Sequence, residues 1–366
     1  MFNSNRVCIG WVLFVIGIFA HGDHPKVLHL TLHKGCHREV MWLGEQLGLD
    51  LTSIFIQDKP PCWLDDETVG NAIYNVTAER ARKTWLKHKN FFESFDLIIT
   101  SDTAPLSRIF LQNGWKKPLI IWICNRFDYA DKATAGNTFP DAAYYALMRD
   151  ALTMPNVRIV GYTPYEITYA HSRNVMVPHM VIKPCAAVIK DASFASSIPS
   201  EINKSETFFI PAYHNDRIFN LEGECKRIGI RAYCGRYNGP EDLKDFKGVI
   251  HFPYAWSNLA LFENIQHGIT YYLPSKKFFC ELTNSGRYFS SGMSLQTISL
   301  SEWYAPEHAD FFVYFDSWQD LKNKISQETP LIREIRQHKI KMLAEKHRAK
   351  TIQQWKSLIH SLEINI

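Results

Sequence analysis

The chain has 366 residues, 46% hydrophobic and 21% charged, without a low-complexity tract. This composition excludes a disordered, collagenous or coiled-coil protein, and at about 150 residues per domain it predicts two domains with ordinary cores. Lys plus Arg is 41 against 37 for Asp plus Glu, a net charge of +4; that is too small for a nucleic-acid footprint, so no nucleic-acid partner is expected.

The N-terminus carries Arg6 and then fourteen apolar or small residues, 7–20. Ala20 and Gly22 have the small-x-small spacing of a signal-peptidase site. A bilayer span needs about 20 apolar residues. Residues 1–22 are therefore expected to be a cleaved signal peptide, with a signal anchor, and hence membrane association, as the second option and a buried first element of the fold as the third. Two sequons, at Asn75 and Asn203, fit the lumen of the secretory pathway or secretion. Of eight cysteines, loss of Cys8 leaves seven, without CxxC or metal-ligand spacing. No metal site is expected. Cys225 and Cys234 are close enough to pair, or remain buried thiols.

From residue 26 onward, strand-like and helix-like segments alternate. Strands are predicted at 26–32, 51–56, 96–100, 118–124, 157–161 and 181–183, and helices at 38–49, 71–95, 104–112, 141–152 and 164–173. Short apolar runs flanked by helices describe a parallel sheet covered on both faces. Residues 186–206, rich in Ala, Ser and Lys, read as a linker. The alternation then restarts, with strands at 208–213, 230–234, 248–252, 269–273 and 311–315 and helices at 221–228 and 258–267. Ile352, Trp355, Ile359 and Leu362 recur at helical spacing, so the chain is expected to end in amphipathic helices. Residues 331–366 also hold eight basic residues against three acidic ones, which reads as a solvated helix face. The fold class is α/β, with two doubly wound Rossmann-like domains facing across a cleft. The boundaries are 1–22 signal, 23–185 first domain, 186–206 linker, 207–330 second domain and 331–366 terminal helices.

The segment 249–275 carries the most chemistry. A strand ends at Phe252, the loop 253–256 follows, and Ser257 is placed as the N-cap of a helix containing Glu263. The start of such a helix offers free N–H groups and a positive dipole end to a phosphate. Gly268 ends the helix before a buried strand. This arrangement resembles the donor-nucleotide site of GT-B glycosyltransferases. The resemblance implies that Glu263 holds the ribose hydroxyls, that Ser257 and Asn258 face the diphosphate, and that the final helix packs back on the first domain. The Glu-x7-Glu pattern of many retaining members is not kept, because Ala stands at position 255.

Two loops join this proposed donor site. Arg236 and Arg217 are candidates for the pyrophosphate charge, since guanidinium grips phosphate oxygens in pairs. Tyr237 and Tyr254 offer rings for stacking, and His214 lies on the loop after the first strand of the second domain. In the first domain, His33 precedes Gly35 in the loop after strand one and is the candidate acceptor base, with His37 on the helix start. Asp102 follows the third strand and has three readings: base, orienting carboxylate or helix N-cap. Arg126 and Asp128 follow the next strand on the same side.

No P-loop, GxGxxG, GxSxG or HExxH is present. The expectation is a metal-independent glycosyltransferase of the secretory pathway. Its partners would be a nucleotide-sugar donor, as co-substrate rather than bound cofactor, and a glycan or other hydroxyl acceptor. The alternative is a secreted two-domain solute- or sugar-binding protein without catalysis.

Overall fold

A computed structural model describes residues 24–56, 76–129, 141–185, 198–212, 220–286 and 293–366. The expected signal segment, Asn75, His214, Arg217 and most of the expected linker lie outside the described residues.

Alternation along the strands builds the first domain. In β1 (Lys26–Thr31), β3 (Leu97–Ser101) and β4 (Leu119–Ile123), successive side chains point to opposite faces of the sheet. Leu28, Leu30, Ile98, Leu119 and Ile121 join one core with Trp85, Phe92 and Phe110. Val27, Leu97, Ile99, Ile120 and Trp122 join a second core with Val40, Leu43 and Trp355. Burial on both faces explains why these strands read as unbroken apolar runs. With the half-buried β2 (Asp50–Phe55) and with β5 (Val157–Gly161), they form a parallel sheet in the order β2-β1-β3-β4-β5. Residues 181–183, expected as a strand, contribute only a bridge between Gly161 and Val181. Ile182 is nevertheless buried in the core beside Trp122.

The second domain repeats the winding. β6 (Phe208–Pro211), β7 (Ala232–Gly235), β8 (Val249–Ile250), β9 (Tyr271–Pro274) and β10 (Phe312–Phe315) form a parallel sheet in the order β10-β9-β8-β6-β7. Numbered from its own first strand, each sheet runs 2-1-3-4-5. The chain reverses direction between the first and third strands, and the crevice beyond their carboxyl ends is where such sheets bind ligands. These crevices lie past β1 and β3 in one domain and past β6 and β8 in the other. Between the strands expected at 269–273 and 311–315 no element was expected; there the described residues include the helix Lys276–Asn284 and the 3-10 turns Ile298–Leu300, Glu302–Tyr304 and Pro306–Phe311.

The basic C-terminal segment is one helix, Pro330–His360, rather than several. Its 31 residues extend over about 46 Å at 1.5 Å per residue. Ile340 and Ala344 are buried in the second domain's core, whereas Trp355, Leu358 and Ile359 are buried in the first. The helix therefore ties the domains together along its length. Among the described residues, no helix is long and apolar enough to cross a membrane.

Candidate functional site

His33 sits just past β1 and begins the helix Lys34–Leu47, four residues ahead of the expected start. It is extended, and its Nδ1 accepts hydrogen bonds from the backbone N–H groups of Gly35 and Cys36, at 3.1 and 3.3 Å. A neutral ring held this way carries its proton on Nε2. Burial opposes the charged ring. Contact with the Cys36 sulfur and the charges of Asp102 and Glu263 favour it and raise the His33 pKa, but a second proton on Nδ1 competes with the two capping hydrogen bonds.

Asp102 follows β3, the strand next to β1. It has φ +66°, a left-handed conformation that Asp tolerates better than most residues. It is buried, and its carboxylate accepts a hydrogen bond from the Thr103 hydroxyl at 3.2 Å. Burial raises its pKa, and the nearby His33 works against that rise. Thr103, not Asp102, occupies the N-cap position of the turn Ala104–Ser107. The capping role open to Asp102 is thus not the one it takes.

Glu263 faces this pair from the second domain. It lies on the helix Leu259–Gln266, which follows β8. Burial raises the Glu263 carboxyl, while Arg38 and His33 of the first domain pull it down. Arg38 was not singled out from sequence. Leu259 packs so closely over the start of the His33 helix that a Cβ on Gly35 would meet its Cδ1 at 2.3 Å. The absence of a side chain at Gly35 thus lets the two helix starts approach.

The cap of the Glu263 helix corrects one expectation. Asn258, not Ser257, is the extended residue before the first helical turn. Its Oδ1 accepts from the Ala260 N–H at 2.9 Å, and its Nδ2 donates to the Tyr254 hydroxyl at 2.9 Å. Ser257 is one residue too early to cap, and its hydroxyl is buried near the Tyr162 phenol. Tyr237 packs edge-on against Phe209, with its hydroxyl accepting from Asn264 Nδ2 at 3.2 Å. Asn264 also donates to the Tyr271 hydroxyl at 2.6 Å. This buried amide had no signal beyond an Asn on an apolar helix face. Arg236 is exposed just past β7.

Other first-domain loops reach the same cleft. Tyr165, past β5, stacks on Trp256, past β8, with ring centroids 3.7 Å apart. Glu166 accepts hydrogen bonds from the Thr163 N–H and hydroxyl, a reciprocal cap legible in Thr163-x-x-Glu166. Asp128 accepts from the hydroxyls of Tyr145 and Tyr169, while Arg126 lies over the rings of Tyr129 and Tyr169. His37 is inside its helix and bonds to the Ser53 hydroxyl. Cys225 is buried and Cys234 half-buried, and no disulfide joins the two. Among the described residues, no group of three His, Cys, Asp or Glu side chains is arranged to hold a metal ion.

No protein-family model matches the chain, and no curated protein matches it in sequence. Solved structures do superpose over nearly its full length. The glycosyltransferase SnogD from Streptomyces nogalater is 8% identical, over 92% of this chain and 99% of that one, with a TM-score of 0.49. The chain itself consists of two doubly wound domains. LpCGTa in complex with UDP is 9% identical, over 92% and 99%, with a TM-score of 0.46. The DNA modifying enzyme beta-glucosyltransferase is 8% identical, over 92% and 99%, with a TM-score of 0.45. At such identities these are likenesses of overall shape, and what those proteins bind or transfer is theirs. The layout of this chain rests on its own strand orders and on the contacts between its facing crevices.

Proposed function

We propose that this protein is a glycosyltransferase of the secretory pathway, moving a sugar from a nucleotide-sugar donor to a hydroxyl acceptor. The observation that carries this reading is the close approach of the two helix starts, Gly35 against Leu259, which sets His33 and Asp102 at one sheet's crevice opposite Glu263 at the other. A proton-handling pair on one wall of a cleft and a carboxylate helix on the other suit a reaction between two bound substrates.

The acceptor binds against the first domain. Its hydroxyl loses a proton as its oxygen bonds to the anomeric carbon, and the bond from that carbon to the diphosphate breaks. His33 can take the proton at Nε2 only by placing a proton on Nδ1, which gives up both helix-capping bonds. Asp102 takes it without that change, and its burial makes it more basic than an exposed carboxylate. Asp102 is therefore assigned as proton acceptor, with His33 orienting the hydroxyl through Nε2–H. Glu263 holds the ribose hydroxyls. The departing diphosphate meets the amino end of the Leu259–Gln266 helix, with Asn258 and Arg236 beside it, so that no metal is required for charge compensation.

Thermal unfolding in the presence of UDP, GDP, ADP or CMP, with and without Mn²⁺, tests this. One nucleotide at 100 times its dissociation constant should add about 2.7 kcal/mol of stability. That gain should not depend on Mn²⁺ and should vanish in Glu263→Ala. Silence toward all four, with a response to free sugars instead, would replace this reading with that of a solute-binding protein.

A further inference from the structure

A second cavity lies away from the His33–Glu263 cleft. It encloses about 310 Å³ where the C-terminal helix runs past both domains, a size at the lower end for small-ligand pockets. Pro164 and Val181 line it from the first domain, Glu307, His308 and Phe311 from the second, and Lys346, His347, Lys350 and Thr351 from the helix. On its inner side, His347 stacks on Phe262, the neighbour of Glu263, with ring centroids 5.0 Å apart. The cavity and the cleft are thus on different sides of the Glu263 helix.

The charges around the cavity do not cancel. Lys183 lies between the carboxylates of Glu302 and Glu307, at 2.8 and 2.7 Å, so its charge is more than compensated and the trio is left with one surplus negative charge when both are ionised. His347 donates its Nε2–H to the carbonyl of Pro184 at 2.7 Å. His308 has Nδ1 within 3.1 Å of both the carbonyl and the carboxylate of Glu302, which makes Nδ1 the proton-bearing nitrogen. Burial and Lys183 keep His308 uncharged at neutral pH, and its buried Nε2 has no hydrogen-bond partner. Lys346 and Lys350, one helical turn apart, add two positive charges at the rim.

We propose that this interdomain cavity binds a small phosphate-bearing organic molecule, of sugar phosphate size. Lys346 and Lys350 receive the phosphate, whose dianion suits two ammonium groups held by one helix. The organic part enters between Pro164, Phe311 and the helix, where His308 offers an acceptor for a hydroxyl. Two features favour an organic phosphate over phosphate alone: the volume exceeds that of a single phosphate, and the inner wall carries Phe311 and an unsatisfied acceptor. The site is independent of whether the cleft transfers a sugar.

The test uses the full chain and three probes: glucose 6-phosphate, inorganic phosphate and glucose. Binding is read by thermal unfolding and calorimetry on wild type, on K346Q/K350Q and on Glu263→Ala. Glucose 6-phosphate should bind wild type and Glu263→Ala alike, inorganic phosphate more weakly, and glucose not detectably. K346Q/K350Q changes only exposed side chains, so it should unfold at nearly the wild-type temperature and bind glucose 6-phosphate at least roughly tenfold more weakly. His308→Phe should narrow the gap between glucose 6-phosphate and inorganic phosphate. The proposal is overturned if wild type does not respond to glucose 6-phosphate, if K346Q/K350Q responds as wild type does, if phosphate and glucose 6-phosphate bind equally well to wild type, or if Glu263→Ala abolishes the response.

Discussion

Tyr165 and Trp256 stack face to face, with ring centroids 3.7 Å apart and planes 8° from parallel, and each belongs to a different domain. Trp256 is nearly buried in the second domain's core, whereas Tyr165 is half-buried at the cleft. Such a pair adds about 0.5–1.5 kcal/mol beyond its buried area. Tyr165→Ala should therefore lower stability only modestly while loosening the domains. The expected signs are a larger radius of gyration by small-angle scattering and faster cleavage by protease between the domains. If both stay at wild-type values, the C-terminal helix alone sets the domain spacing.

The cap made by His33 allows its structural and chemical roles to be separated. Asn is a good N-cap and Ala is not. His33→Ala should cost about 1 kcal/mol of stability through the lost cap. His33→Asn should keep nearly all of that stability yet lose transfer activity as severely as His33→Ala. Asp102→Asn should lose activity too, without changing nucleotide binding. Full activity in His33→Asn would confine His33 to capping.

The contact of Gly35 with Leu259 predicts a compensating pair. A Cβ at Gly35 would press on Leu259 Cδ1 and stand 2.9 Å from the His33 ring. Gly35→Ala should therefore displace Leu259 and disturb the His33 cap, at about 1–3 kcal/mol for overpacking. Leu259→Ala in the same chain should return part of that loss. Measured additivity of the two single changes, in a double-mutant cycle by denaturant unfolding, would show that the helix starts are not in contact in solution.

Glu166 predicts a pH dependence. It is buried, and burial pushes its carboxyl up to about 8, against hydrogen bonds from Thr163. The folded state thus holds this proton more tightly than the unfolded state, whose carboxyl titrates near pH 4.5. The stability it contributes is complete below pH 4.5 and is lost as the pH rises toward 8, by on the order of a few kcal/mol. Glu166→Gln keeps an oxygen for the Thr163 N–H and removes the titration. Its unfolding free energy should decline less between pH 5 and 8 than that of wild type; parallel profiles would assign the pH dependence to other groups.

Asn203 stands exposed before the turn Lys204–Glu206, with Ser205 donating to its side-chain oxygen at 2.9 Å. If the chain enters the secretory lumen, this asparagine is open to glycosylation. Expression with the native N-terminus in a secretory host should give a protein that loses mass on endoglycosidase treatment. Asn203→Gln should lack one glycan. Identical masses for the two would count against luminal exposure of this sequon.

The repeating strand and helix pattern was legible because burial on both faces leaves a local mark: Leu28 and Leu30 serve one core, and Val27 the other, within a single strand. Hydrophobic spacing also foretold the helix through Glu263 and the buried C-terminal stripe around Trp355. The sequence by itself thus determined two α/β domains and the loops that could carry chemistry. Tertiary structure decided which groups meet. Whether His33 titrates toward Asp102 and Glu263, whether Leu259 fills the space over Gly35, and whether Tyr165 stacks on Trp256 all depend on how two separately folded sheets are set against each other. Local periodicity carries no information about that placement. It is fixed by one long helix whose two halves lie in different cores, and by side chains whose partners are far away in the chain.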